Sequence, residues 1–257
     1  MKTSTFVPLL LVLGLSACRT TPPSNQVTQV ATIDGLLAGV YDGEVSLAEI
    51  RKTGNFGLGT YQSLDGEMVL LDGTFYQIKG DGSVHRPPPE MLSPFAAVVD
   101  FQPTLYAELE EMDLAELKTR LDELVPNQNQ FAAFSIHGNF ASIRTRSVAA
   151  QKKPYPTLAE VVEIQSVFDL ENVSGTLVGL RCPPFVKGLN VPGYHFHFIT
   201  EEKDAGGHVL AFEMISGQLS ADTVNEEFMV MLPKNTMHSD DVNLSHDRSK
   251  VLEVIEQ

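Results

Sequence analysis

The side chains best suited to chemistry are two histidines one residue apart, in Tyr194-His195-Phe196-His197-Phe198. On a β-strand successive side chains leave opposite faces, so His195 and His197 share one face and the three aromatics share the other. The aromatic face suits a core, which leaves two imidazoles side by side and close enough to hold one ion. The next apolar run begins at His208, after Glu201-Glu202-Lys203-Asp204 and Ala205-Gly206-Gly207. A turn made of residues 201–204 pairs Thr200 with Ala205 and sets His197 opposite His208. Three histidines from two adjacent strands, with a position left open, form a catalytic zinc arrangement. A structural site would instead close its fourth position with protein. The other histidines, His85, His137, His238 and His246, have no such company and read as surface or core residues.

Those strands need a scaffold, and the punctuation of the chain outlines one. Ser46-Leu47-Ala48-Glu49 has the capping-box pattern and Gly54 supplies a stop, so the spacing predicts a short helix over 46–53. Asp-Gly pairs at Asp65-Gly66, Asp72-Gly73 and Asp81-Gly82 separate strand-like runs, predicting an antiparallel meander over 58–79. A strand is expected over 95–101. Asp113 caps a helix over 113–125, whose Leu114, Leu117, Leu121 and Leu124 make one apolar stripe. Residues 130–146 read as extended with a break near Gly138. Glu160 completes a capping box for a second short helix over 157–164. Strands follow at 175–181, 194–200, 208–214 and 227–232, with a terminal helix from Asp247. The fold class is α+β, a mixed or antiparallel β-sheet lobe followed by a β-rich, barrel-like lobe that carries the zinc hairpin.

The chain has 257 residues and a net charge of −15, a balance that repels phosphate backbones and excludes nucleic acid as a partner. Residues 1–18 read as a lipoprotein signal peptide, with Lys2 at its start and an apolar run too short to span a bilayer. The run ends in Leu15-Ser16-Ala17-Cys18, which resembles the bacterial lipobox. The protein is therefore expected to be exported and lipid-anchored at Cys18 to a bacterial membrane, on the periplasmic or cell-surface side. That anchor is its only expected membrane contact. Residues 19–31, with Pro22-Pro23 and Ser24-Asn25-Gln26, read as a flexible tether, and 32–257 as the folded domain, with a division into two lobes near 150. The only other cysteine, Cys182, has no thiol partner after processing and is expected to be a small buried apolar residue.

Gly193-Tyr194-His195-Phe196-His197-Phe198, followed by Gly206-Gly207-His208-Val209, resembles the metal-binding hairpin of the acetolactate decarboxylase family. Three more stretches match that family in order. They are Gly57-Leu58-Gly59-Thr60 with Leu64-Asp65-Gly66-Glu67, then Arg144-Thr145-Arg146-Ser147-Val148, then the glutamate-containing tail. The resemblance covers the chain from about residue 32 onward. It implies Zn2+ on His195, His197 and His208, an active-site threonine at Thr60, glutamates at Glu67 and Glu256, and an arginine at Arg146. It also implies zinc-dependent decarboxylation of 2-acetolactate to (R)-acetoin and carbon dioxide, and a homodimer. The residue pattern alone does not choose between Arg144 and Arg146, which share a face of an unbroken strand; the Thr-Arg-Ser context favours Arg146. The tail holds both Glu253 and Glu256, and its spacing favours Glu256. Gly57 and Gly59 lack the strand-to-helix setting of a nucleotide loop and read as tight backbone turns.

Decarboxylation leaves two electrons to be stabilised, a task for a Lewis acid. A planar guanidinium can grip the substrate carboxylate at two points, and a carboxyl group can deliver the closing proton. Two other classes share the histidines. Another triple-His enzyme, a hydratase or cupin-like dioxygenase, needs neither the arginine nor the tail glutamate. A non-catalytic metal-binding lipoprotein could lose Glu67 and Arg146 without consequence.

Overall fold

The computed structural model describes residues 26–224, 227–235 and 242–255. The expected signal peptide with Cys18, and also His238 and Glu256, lie outside the described residues. The chain opens with β1 (Gln26–Val30), α1 (Ile33–Leu37), β2 (Val45–Ser46), α2 (Leu47–Ile50) and β3 (Phe56–Thr60). Next come β4 (Glu67–Leu71), β5 (Thr74–Ile78), β6 (Val84–His85), β7 (Leu92–Ser93), β8 (Phe95–Val99), β9 (Leu105–Leu109) and β10 (Met112–Asp113). The second half runs α3 (Leu114–Leu124), β11 (Phe131–Ser147), α4 (Leu158–Val162), β12 (Ser166–Cys182), β13 (Gly193–Thr200), β14 (Gly206–Val224), β15 (Glu227–Met231) and α5 (Ser249–Ile255). The architecture is β-rich with a few short helices.

Seven strands form one sheet in the order β15-β1-β8-β3-β4-β5-β6. The meander at its centre follows from its turns. Asp72 and Gly73, both at positive φ (50° and 75°), join β4 to β5, as a two-residue hairpin turn of this hand requires. Gly57 and Gly59 make no turn; they lie inside β3, which corrects the sequence reading. A Cβ at Gly59 would run into the Phe95 carbonyl oxygen of β8, and one at Gly57 into that of Ala97. The two strands approach too closely there for any side chain.

The second sheet has six strands, β9 to β14, and is dominated by the long β11, β12 and β14. β11 pairs with β12 and β14, and β13 pairs with both β12 and β14, so the pairing runs in a circuit through these four strands. The expected break near Gly138 takes the form of register shifts against β14, between Asn139 and Phe140 and between Phe140 and Ser142, while β11 itself runs on and Gly138 pairs with Gly175 and Gly217. β12 and β14 also run well beyond their expected limits. Their polar outer residues hide the strand signal, whereas pairing with β11 supplies the backbone hydrogen bonds.

The two sheets pack face to face. Val27, Phe56, Leu58 and Ile78 of the first meet Ala133, Val178, Leu180 and Ile199 of the second in one buried cluster. Cys182 sits there too, 3% exposed, and burial pushes its thiol up to about 12. A second cluster unites Phe134, Phe140, Phe196, Phe198 and Phe212 with Leu117 and Leu121 of α3. Full burial of each such aromatic stabilises by roughly 1.5–3 kcal/mol. The helices α1, α4 and α5 gather against Phe95, Leu64 and Val148 in a third cluster beside the first sheet.

Two sequence expectations about organisation are corrected. Residues 26–30 are not tether but β1, buried throughout, parallel to β15 and antiparallel to β8. Proline, serine and asparagine just upstream have a tether's composition, while Val27 and Val30 gain their cores only from distant strands. Nor does the chain divide near 150. β9 to β14 all belong to the second sheet, and β15 then returns to the first.

Candidate active site

The hairpin β13–β14 carries the histidines. His197 pairs with His208 and Phe198 with Gly207, and the Thr200 N–H donates to the Ala205 carbonyl at 3.0 Å, the register expected from sequence. Phe196 and Phe198 enter the aromatic cluster under α3, so His195 and His197 must face the opposite way, toward β4 of the first sheet. His195 Nε2 lies 3.2 Å from His197 Nε2 and 3.0 Å from His208 Nδ1. Ligand atoms of all three fall within 4.8 Å of one another. Nitrogens bound about 2.0–2.1 Å from a tetrahedral ion stand roughly 3.3 Å apart, so this spacing suits a metal.

The environment keeps the rings neutral and aimed. Burial, then the charge of Arg146, pulls His195 down to about 3, and burial first of all holds His197 and His208 well below the ordinary imidazole range. The Nδ1–H of His197 donates to the Met68 carbonyl at 2.7 Å, which leaves its Nε2 lone pair turned toward the other two rings. His195 Nε2 faces two nitrogens and can hold at most one proton, so converging lone pairs favour a cation among them. The three residues fit a bound metal. His85, His137 and His246 are exposed and stand apart from this group.

Around the rings lies a cavity lined by Thr60, Glu67, Arg146, His195, His197 and His208, with aliphatic walls from Ile33, Leu36, Val148, Leu158, Val162 and Ile255. Its interior admits a water-sized sphere over about 50 Å³, a tight recess beside the rings. Every site residue expected from sequence that lies within the described residues therefore meets here. Thr60 and Glu67 pair directly across β3 and β4. The Thr60 hydroxyl donates to the Gly66 carbonyl at 2.7 Å, tying down the turn from which β4 starts. Glu67 Oε2 stands 3.5 Å from His197 Nε2.

The structure also separates the two arginines. Arg144 is exposed and forms a two-point ion pair with Asp169, at 2.6 and 3.2 Å. Arg146, one step past a register shift against β14, is 5% exposed and lines the cavity. Its Nη1–H donates to Gln165 Oε1 at 3.1 Å. Gln165 and the Met68 carbonyl were missed by sequence reasoning. A lone glutamine after a short helix carries no motif, and a backbone acceptor carries no residue-type signal at all. Likewise Glu253 is exposed and borders a different groove with Pro184, Lys187 and Leu252, whereas Ile255 reaches the cavity.

The sequence pattern of the alpha-acetolactate decarboxylase family matches residues 27–245. The chain is similar to the alpha-acetolactate decarboxylase of Methanosarcina mazei, 49% identical over 211 residues that cover 82% of this chain and 73% of that one. It is 41% identical over 211 residues to the corresponding protein of Methylococcus capsulatus, covering 82% and 81%. The crystal structure of alpha-acetolactate decarboxylase from Bacillus subtilis strain 168 superposes with a TM-score of 0.85 at 35% identity, covering 90% of this chain and 99% of that chain.

Proposed function

The chain belongs to the alpha-acetolactate decarboxylase family, and we propose that it converts 2-acetolactate to (R)-acetoin and carbon dioxide with zinc held by His195, His197 and His208. The observation that carries the reading is a single cavity that joins three neutral, converging imidazoles to a buried guanidinium and a carboxylate. Zinc, when bound, supplies Lewis acidity toward the negative charge that develops on the ketone oxygen as the carbon–carbon bond breaks.

The chain's own residues do the rest. Arg146 binds the substrate carboxylate by charge-assisted hydrogen bonds and fixes the breaking bond relative to the ketone. Its attraction ends as the carboxylate becomes neutral carbon dioxide, so the same contact that binds substrate lets product go. The aliphatic walls exclude water, which would otherwise screen these charges and protonate the intermediate without facial preference. Glu67, beside the imidazoles, holds the proton to be delivered to the carbanionic carbon. Thr60 acts through the Gly66 carbonyl to keep Glu67 at the start of β4. Glu256 serves as a second carboxyl group, a reading supported by Ile255 in the cavity wall and by the outward setting of Glu253. Export and a lipid anchor at Cys18 belong to the same proposal and rest on the lipobox-like Leu15-Ser16-Ala17-Cys18. Among the described residues no helix is long and apolar enough to cross a membrane.

The test is an assay on racemic 2-acetolactate, reading carbon dioxide release and the chirality of acetoin. Activity should vanish on treatment with a chelator and return with zinc. Metal-loaded protein that releases no acetoin would overturn the reading. Glu256→Gln should lose on the order of 100-fold in turnover with zinc content unchanged, while Glu253→Gln stays near wild type. Fractionation of Cys18→Ser against wild type tests the anchor, which falls if wild type carries no acyl group.

A further inference from the structure

Arg146 presents a buried charge whose handling is unusual. The arginine ion pairs among the described residues are made by Arg120, Arg144 and Arg181. Arg146 makes none of them, although it is 5% exposed. A buried cation without an anion is costly. Its side chain is instead held by a neutral amide, Gln165 Oε1, 3.1 Å from Nη1. Gln165 comes just past α4, after Glu163 and Ile164, and its own N–H donates to the Val162 carbonyl at 3.3 Å. The next residues pair across to β11, Ser166 with Ser147 and Val167 with Arg146, so the amide arrives level with the guanidinium.

We infer that Gln165 is a positioning residue for carboxylate recognition, and this rests on the proposed function above. An acceptor at this place fixes the plane of the Arg146 fork. Because the acceptor is uncharged, it leaves the positive charge for the substrate carboxylate. A glutamate here would keep the length and the hydrogen bond but neutralise the arginine in advance, making the site compete with its own ligand. A methionine would keep the bulk and remove the acceptor. The identity of residue 165 thereby sets the preference of the site for an anionic over a neutral ligand.

Gln165→Glu separates this role from a structural one. At neutral pH it should raise KM for 2-acetolactate about ten-fold or more, with kcat changed far less. Calorimetric affinity for the unreactive carboxylate 2-hydroxy-2-methylpropanoate should fall by the same factor. Affinity for acetoin, which has no carboxylate, and zinc content should stay within about two-fold. Gln165→Met should lower kcat/KM about 3- to 10-fold, short of the loss in Gln165→Glu. The inference is overturned if Gln165→Glu binds 2-hydroxy-2-methylpropanoate as tightly as wild type, or if its affinities for that carboxylate and for acetoin fall together. The calorimetry needs no turnover. Wild type that binds the carboxylate probe through Arg146 and Gln165 yet leaves 2-acetolactate intact would therefore overturn the proposed function and uphold the inference.

Discussion

The β13–β14 hairpin and the last residues of β11 deliver polar groups to the same cavity by opposite means. In the hairpin, strand alternation sends aromatics one way and histidines the other, and a short loop sets the pairing of His197 with His208. In β11, alternation gives Arg144 and Arg146 the same face, yet one meets Asp169 at the surface and the other lines the cavity. The first is a local device that any strand with this pattern would reproduce. The second depends on which parts of the molecule lie over two neighbouring positions near the end of a long strand. Local patterning aims a group; burial against distant elements decides whether that group is a site.

The largest effect should come from breaking the hairpin set. His195→Ala, His197→Ala or His208→Ala should each lose most bound zinc and on the order of 10³-fold in turnover, measured by elemental analysis and the acetoin assay. His246→Ala should change neither, and equal zinc in all four proteins would end the assignment. Next, Arg146→Ala should cost on the order of 100-fold in kcat/KM, through the lost charge-assisted contact with substrate. Arg144→Ala, at an exposed pair, should leave kcat/KM within about two-fold. Similar losses in both would mean that the contrast between the two arginines has no functional meaning.

A smaller effect is expected where the two regions touch. Gly207 has φ of 135°, and a Cβ there would run into the Arg146 carbonyl oxygen. Gly207→Ala should destabilise by about 1–3 kcal/mol in denaturant unfolding, and unchanged stability would show that the hairpin and β11 can part at no cost. Smallest and most gradual is the pH response of metal-free protein. Buried neutral imidazoles bind fewer protons folded than unfolded between pH 6.5 and about 3, the span of the His195 shift. Their contribution is fully present above pH 6.5 and is lost as pH falls through that window. The denaturant midpoint should drop between pH 7 and pH 5, and drop less in a variant with all three histidines replaced by phenylalanine. An equal drop in both would place the sensitivity elsewhere.

Much of this was legible without coordinates, where a signal fits within a few residues. The capping box of Ser46 with Glu49 forms as its spacing predicts, Asp113 caps α3, and the positive-φ Asp72-Gly73 turn makes its hairpin. The three histidines were readable for the same reason, since alternation and a countable loop relate them. Other features were not legible. Residues 26–30 look like tether, because a strand buried on both sides owes its state to β8 and β15, about 70 and 200 residues onward. Gly57 and Gly59 read as turns, because only the closeness of β8 shows what a Cβ would strike.

The sequence by itself determined the aim of the ligand set: which residues alternate, which turns close, and which ring faces oppose an aromatic core. Covalent geometry and steric preference act within a few residues and leave little freedom there. Only the tertiary structure decided what those residues face. It laid β4 against the hairpin so that the Met68 carbonyl turns the His197 ring, and it buried Arg146 while leaving Arg144 in water. It also brought the Gln165 amide to the guanidinium. Desolvation and pairing depend on neighbours far along the chain, and those neighbours exist only once the two sheets have packed.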